Sequence, residues 1–364
     1  MIGTAYSRIT DAIERISRHR AIRLVLPLAL ALLMLACGES THPRDTLNPA
    51  GDGAQVSAWF FWLYMILDTI IFIIVMVAMI VAIMKFSKKP DDDDSLPPQS
   101  HGDMRLEIMW TVIPTIIIVV LAVITVGGVF QLSAKPSEEQ KIVDIEVMGK
   151  QWWWEFDYKK ERISTANEMH VEAGTQVSLH LTSADVIHAF WVPRMSGKRD
   201  ATPGRTYPLY FKPFASDKLE EYIGQCAELC GASHARMGIK LFVHPKTGPD
   251  SYDNWVKKQQ EAARAPATAL EKQGKKVFET KGCKSCHTIR GVAELTKRSR
   301  STGPDLTHVG SRSTIAALAL TNTIDNLAKW VKNPQAVKEA ALMTNLNLTD
   351  EESKAVATYL YSLK

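Results

Sequence analysis

At 364 residues the chain has room for two ordinary domains and membrane segments besides. A net charge of +4 is small for that length, and no Lys/Arg block of the kind that tracks phosphates is present, which excludes nucleic acid as a partner. The apolar residues crowd toward the N-terminus, and the five cysteines fall as Cys37, a pair at Cys226 and Cys230, and a pair at Cys283 and Cys286.

Residues 1–37 carry scattered arginines (Arg8, Arg15, Arg18, Arg20, Arg23), then the apolar stretch 24–36, then Leu35-Ala36-Cys37-Gly38. Basic, apolar and small residues in that order predict a secretory signal, and the apolar stretch is too short to span a bilayer. Leu-Ala-Cys resembles a bacterial lipoprotein box, with Met34 where Leu is usual. Removal of the signal with lipidation of Cys37 is one expectation; an ordinary cleavage site beside a spare thiol is the other.

Two longer apolar runs, 59–84 and 108–130, predict a transmembrane hairpin over residues 55–131. Its loop carries Lys85, Lys88, Lys89 and Arg105, which places the loop in the cytoplasm and everything after residue 131 outside. The acidic run Asp91–Asp94 weighs little in that rule and reads as a solvated loop. Asp68 lies inside the first span, where an ionisable side chain is costly and is expected to face a partner helix; its role stays open.

From 141 to 246 the pattern changes to short runs alternating at period two, such as Ile142-Val143-Asp144-Ile145-Glu146-Val147, with Gly, Pro, Ser and Asp between them. That predicts a β-sandwich or barrel. A Lys-, Gln- and Ala-rich linker over 256–269 then leads to a helical region, 270–364. Near its end Thr349-Asp-Glu-Glu352 reads as a capping box opening a helix with Val356, Tyr359, Leu360 and Leu363 on one face.

Two constellations carry chemistry. In Cys226-Ala-Glu-Leu-Cys230-Gly-Ala-Ser-His234-Ala-Arg-Met237 two thiolates, an imidazole and a thioether fall within one short segment, and His188 stands upstream in Ser183-Ala-Asp-Val-Ile-His188-Ala-Phe-Trp-Val-Pro193. Soft sulfur with imidazole suits copper, and two thiolates could bridge two copper ions. A Cys226–Cys230 disulfide and a closed zinc site with His188 and His234 remain open on the residues alone. The second constellation, Gly282-Cys283-Lys-Ser-Cys286-His287, is a c-type haem attachment motif, with thioether bonds to Cys283 and Cys286 and His287 as axial ligand. A thioredoxin-like CxxC would lack the βαβ surroundings and would not explain His287.

The pattern CxExCxxxHxxM with DVIHxFxVP upstream resembles subunit II of the haem-copper cytochrome c oxidases over residues 55–245, hairpin included, with a fused C-terminal cytochrome c domain as in the caa3 type. The resemblance implies a multidomain membrane protein: a two-helix transmembrane hairpin, a cupredoxin-type β-sandwich or barrel, then an all-α cytochrome c domain. It implies a binuclear copper centre, CuA, held by His188, Cys226, Cys230, His234, Met237 and the backbone carbonyl of Glu228. The Glu228 side chain would serve a Mg or Mn ion shared with subunit I, as suits a carboxylate. Gln151-Trp152-Trp153-Trp154-Glu155-Phe156 resembles the family's aromatic patch, which makes Trp152 the residue where electrons enter; Trp152 and Trp154 should share one face of a strand, with Trp153 on the other. Trp153 stands where Tyr is common. Glu107, three residues before Trp110, matches the glutamate at the cytoplasmic mouth of a proton pathway. Gly303-Pro304-Asp305-Leu306 resembles the loop supporting the proximal histidine, and Met343, the last methionine in the chain, takes the place of the second axial ligand. The usual Pro after it is Thr344, and His308 is the competing ligand.

The expected function follows from the resemblance. Electrons from an external donor, such as a cytochrome c or another respiratory complex, pass through haem c and CuA to subunit I, which reduces oxygen to water and translocates protons. Subunit III and membrane lipid are further expected partners, and the site is the bacterial inner membrane, multi-pass, with the copper and haem domains extracytoplasmic. The chain has no intramembrane histidine set with which to reduce oxygen itself. Alternatives are the CuA subunit of a nitric oxide reductase and a membrane-tethered carrier without an oxidase partner; nitrous oxide reductase shares the copper motif but lacks the hairpin.

Overall fold

The computed structural model describes residues 42–87, 102–137, 139–295 and 303–364. The signal segment with Cys37, the loop lysines Lys88 and Lys89, and the acidic run Asp91–Asp94 lie outside the described residues. Helices α1 (Asp52–Phe86) and α2 (Met104–Ser133) contain the two apolar runs and extend them at both ends. Each is long and apolar enough to cross a bilayer, and both are apolar around their whole circumference, as a lipid-facing helix is. Asp103 opens α2 as an N-cap, its carboxylate accepting from the Arg105 amide at 2.8 Å. The helices touch where Tyr64 and Thr125 share a hydroxyl hydrogen bond of 2.6 Å.

The start of α1 is tied to the β-domain by main-chain bonds from Ala50 N to Arg194 O (2.7 Å), Ala54 N to Met195 O (3.0 Å) and Phe214 N to Ala50 O (2.8 Å). The Asp52 carboxylate also accepts from Lys212 N at 2.8 Å. The hairpin and the β-domain therefore join through a fixed corner.

The β-domain has ten strands: β1 Ile142–Lys150, β2 Trp153–Tyr158, β3 Ile163–Ala166, β4 Glu168–Glu172, β5 Gln176–Ser183, β6 His188–Trp191, β7 Arg199–Ala201, β8 Tyr207–Phe211, β9 Glu220–Cys226 and β10 Gly238–His244. They form two five-stranded sheets, ordered β3-β2-β1-β5-β8 and β4-β10-β9-β6-β7. Alternation in the strands delivers Ile145, Val147, Trp154, Phe156, Leu179 and Leu181 from one sheet, and Phe190, Ile239 and Leu241 from the other, to one buried core. This is the sandwich read from period two.

Residues 252–260, part of which read as linker, form helix α3 (Tyr252–Gln260). Ser251 caps it, and Trp255 stacks on His170 at 4.3 Å, which gives an otherwise Lys- and Gln-rich segment enough apolar contact to stay folded against the sheet. The C-terminal domain follows with α4 (Ala269–Thr280), a two-residue ribbon β11 (Thr314–Ile315) and β12 (Leu320–Thr321), α5 (Ile324–Lys332), the single turn α6 (Pro334–Val337) and α7 (Asp350–Ser362). The Thr349–Glu352 capping box opens α7, and Val356, Tyr359, Leu360 and Leu363 are buried. Helix α4 crosses α7 with Phe278 against Tyr359, ring centroids 6.4 Å apart, in a core separate from that of the sandwich.

Candidate metal centre and haem-attachment site

Strand β9 ends at Cys226 and β10 starts at Gly238, so residues 227–237 form the loop of an antiparallel pair whose register is Gln225 opposite Gly238. Strand β6 lies on the other side of β9, with Phe190 opposite Cys226, and this brings His188 beside the loop from some forty residues upstream. Main-chain bonds from Cys226 N to Met237 O (3.0 Å) and Ala227 N to Ala189 O (2.9 Å) close the loop's base.

The donors then converge. The Cys226 and Cys230 sulfurs stand 3.8 Å apart and are not bonded to each other. Cys226 Sγ is 3.9 Å from His188 Nδ1 and 3.3 Å from the Glu228 carbonyl oxygen; Cys230 Sγ is 3.5 Å from His234 Nδ1 and 3.9 Å from Met237 Sδ. Each sulfur thus has one imidazole and one weaker donor beside it. His188, Cys226 and Cys230 are buried and form a group able to hold a metal ion. The protons of the two thiols are shared unequally: contact with the Cys230 thiol holds Cys226 down as the thiolate, while contact with Cys226 and burial push Cys230 up.

The surroundings fix these donors. Burial alone would keep His188 neutral, but its Nε2 lies 2.8 Å from Asp185 Oδ1, and that bond raises it and aims Nδ1 at Cys226. Burial pushes Asp185 up, yet bonds from His188 and the amides of Gln151 and Val186 outweigh it and hold its carboxyl below the usual range. The Cys230 carbonyl accepts from Gln151 Nε2 (2.8 Å) and from the Trp152 indole N–H (3.0 Å). Gly231 makes that approach feasible: its φ is +116°, and a Cβ there would meet the Trp152 ring at 3.0 Å.

Trp152 is only 7 % exposed and sits in the turn before β2, in the same core as Trp154, which stacks edge-on to His188 at 5.8 Å. Trp153 points the other way, under the Lys150 ammonium at 4.7 Å, and Lys150 pairs with Glu155 at 2.9 Å. Glu228 presents an exposed side chain, next to Leu229, which is also exposed. Glu107 lies in the first turn of α2 and is exposed, as is Asp68 within α1.

In the C-terminal domain Cys283, Cys286 and His287 share one tight turn, with His287 N bonded to Cys283 O at 3.1 Å. His287 Nδ1 donates to the Pro304 carbonyl at 2.9 Å, which leaves Nε2 for a ligand, and burial, outweighing that carbonyl, keeps the ring neutral. Gly303 packs flat on the His287 ring, where a Cβ would overlap it. Met343 lies partly buried against the domain core, as does Cys283. His308 turns elsewhere: its Nε2 is 3.1 Å from the Glu261 carbonyl, and it lines an interdomain cavity of about 520 Å³ together with His170, Glu168 and Arg312.

Comparison with known proteins agrees with this arrangement. Residues 50–127 match the transmembrane domain of cytochrome c oxidase subunit II, residues 160–243 its periplasmic domain, and residues 271–364 cytochrome c. The cytochrome c oxidase subunit 2 of Alkalihalophilus pseudofirmus is 36% identical over 349 residues, which are 93% of this chain and 96% of that protein. The chain belongs to the cytochrome c oxidase subunit II family. The subunit 2 of Bacillus sp. strain PS3 is 35% identical over 92% of this chain and 95% of its own. A quinol oxidase subunit 2 of Bacillus cereus is 33% identical over 66% of this chain and 80% of its own. Membership makes this chain a subunit of an oxidoreductase complex with a subunit I partner, and the appended cytochrome c domain supports a role in electron input.

Proposed function

We propose that this chain carries electrons from an external donor to subunit I of a cytochrome c oxidase, where oxygen is reduced to water and protons are translocated. The observation that carries the reading is the gathering of four further donors around a pair of unbonded sulfurs. A closed zinc site would want four donors in a tetrahedron, whereas two sulfurs each flanked by an imidazole and a weaker donor suit two copper ions. His188, Cys226, Cys230, His234, Met237 and the Glu228 carbonyl would hold that pair, and Cys283, Cys286, His287 and Met343 would hold a covalent haem c. Bound there, each group takes up and releases one electron at a time.

The protein's own part is to hold these ligands still. Asp185 aims His188, Gln151 and Trp152 fix the Cys230 carbonyl, and the strands β6, β9 and β10 prevent the loop from relaxing when charge changes. Trp152, in contact with the metal loop, is the residue through which electrons would reach it. Pro304 fixes the His287 ring, and Gly303 leaves room for that ring.

The remaining assignments belong to the same reading. Glu107, in the first turn of α2, would open a proton path on the cytoplasmic side, with both redox domains outside the bacterial inner membrane. The exposed Glu228 carboxylate would share a Mg or Mn ion with subunit I, and subunit III and lipid would complete the complex. The test is native purification followed by oxygen uptake with reduced cytochrome c. Copurification with a large haem-bearing subunit, and oxygen uptake abolished by Cys226→Ala, are expected. Consumption of nitric oxide in place of oxygen, or purification as a lone carrier, would overturn the reading.

A further inference from the structure

The β-domain and the C-terminal domain meet at several places, and two of them bear on the metal loop and its approach. At one, Glu168 on β4, 3 % exposed, turns a single carboxylate oxygen to the C-terminal domain. That oxygen accepts from Ser313 N (2.9 Å), Ser313 Oγ (2.7 Å), Thr314 N (3.0 Å) and Thr314 Oγ1 (3.2 Å). Two successive amides and two hydroxyls aimed at one oxygen make an anion-binding nest, and its anion is supplied by the other domain. At the other place, residues 337–339 lie on the metal loop. Arg236 donates to Val337 O (2.8 Å), Ser233 Oγ donates to Glu339 O (2.6 Å), and Lys338 donates to the carbonyls of Trp152 and Ala316. Gly238 N reaches Ala317 O at 3.3 Å between the two.

Position in sequence gives these contacts their meaning. Ser233 and Arg236 are the chain neighbours of His234 and Met237, and 337–339 stand a few residues before Met343, whose carbonyl accepts from Gln335 Nε2 at 2.7 Å. The loop offered as copper-holding and the loop offered as haem-holding are therefore bonded to each other. A carboxylate buried at such a contact must keep its donors, because exposing the same contact without them strands a charge or lets water in.

We propose that Glu168 is the latch of an intramolecular docking surface, holding the C-terminal domain so that residues 337–339 rest on the metal loop. The positioning of the two loops gains its functional meaning from the electron-input reading, but the docking itself does not depend on it. While latched, the Trp152 face is covered by the chain's own C-terminal domain.

The test is hydrogen–deuterium exchange on the full chain in detergent, comparing the parent with Glu168→Ala, Glu168→Gln and the double variant Ser313→Ala/Thr314→Val. In Glu168→Ala, amides of 313–318 and 337–339 should exchange at least tenfold faster, and protease should cut sooner at 261–268, while the β-core amides of Ile239 and Leu241 keep their protection. Glu168→Gln retains one acceptor oxygen and should fall between parent and Ala. The double variant, altered on the other domain's side of the same contact, should loosen the same segments. Unchanged exchange at 313–318, or equal loosening of the β-core, overturns the proposal. Exchange is read with or without copper and haem bound, so failure of the latch and failure of the electron-input reading are separately visible.

Discussion

Asp185→Asn tests how the metal site is held. The Asp185 side chain is fully buried and accepts at 2.8 Å from each of His188 Nε2, Gln151 N and Val186 N. The amide has nearly the same shape but one acceptor oxygen instead of two. If that oxygen stays with His188 and Val186, the new amide nitrogen faces the Gln151 N–H, and a buried donor is left unpaired at a cost of about 1–3 kcal/mol. The His188 ring also loses the charge that orients it, a class of change that weakens metal binding about 10- to 100-fold, or about 1.4–2.7 kcal/mol. Copper affinity measured by chelator competition on the purified chain should fall within that range, and the metal-free chain should melt earlier. Copper affinity within about twofold of the parent would refute the orienting role.

Met343→Ala should shift the spectrum and lower the potential of the bound haem, while His308→Ala should leave both unchanged because that imidazole is engaged with the Glu261 carbonyl. Gly274→Ala should destabilise the C-terminal domain by about 1–3 kcal/mol in thermal melts, since a Cβ there would overlap the Ala355 carbonyl where α4 crosses α7. His170 and His244, bonded at 2.8 Å, are both pushed down by burial first; His244 and Arg312 push His170 further down, while the Asp250 carbonyl only partly offsets burial at His244. The unfolded chain then binds more protons as pH falls below about 6.5, so stability is lost on acidification, by up to about 1.4 kcal/mol per pH unit for each histidine. Melts between pH 7 and 5 should show that slope, and His170→Phe should flatten it; an unchanged slope in the variant would contradict the assignment.

The residues proposed to hold copper and haem were legible in the sequence because most of them are local. Cys226 to Met237 share one loop, Cys283 to His287 share one turn, and only His188 and Met343 had to be brought in from a distance. The tryptophan expectation was met only in part: Trp152 and Trp154 share one core and Trp153 turns away, but Trp152 lies in the turn before β2 and not in the strand, so alternation alone does not place it. Helix α3 was hidden within a polar stretch, because its stability comes from Trp255 stacking on His170 rather than from its own pattern. The reach of Asp185 to His188 and Gln151 could have been suspected from its place three residues before a ligand, but its direction depends on the turn that holds it. The Glu168 nest had no signal at all: an ordinary strand glutamate meets Ser313 across 145 residues of chain.

Electron paramagnetic resonance of the copper-loaded chain, with metal content measured on the same sample, tests the central claim most directly. Two copper ions per chain sharing one unpaired electron, seen as a single mixed-valence signal that disappears in Cys226→Ala and Cys230→Ala, is the predicted result. Two separate mononuclear copper signals, or one copper per chain with zinc bound as readily, would contradict it.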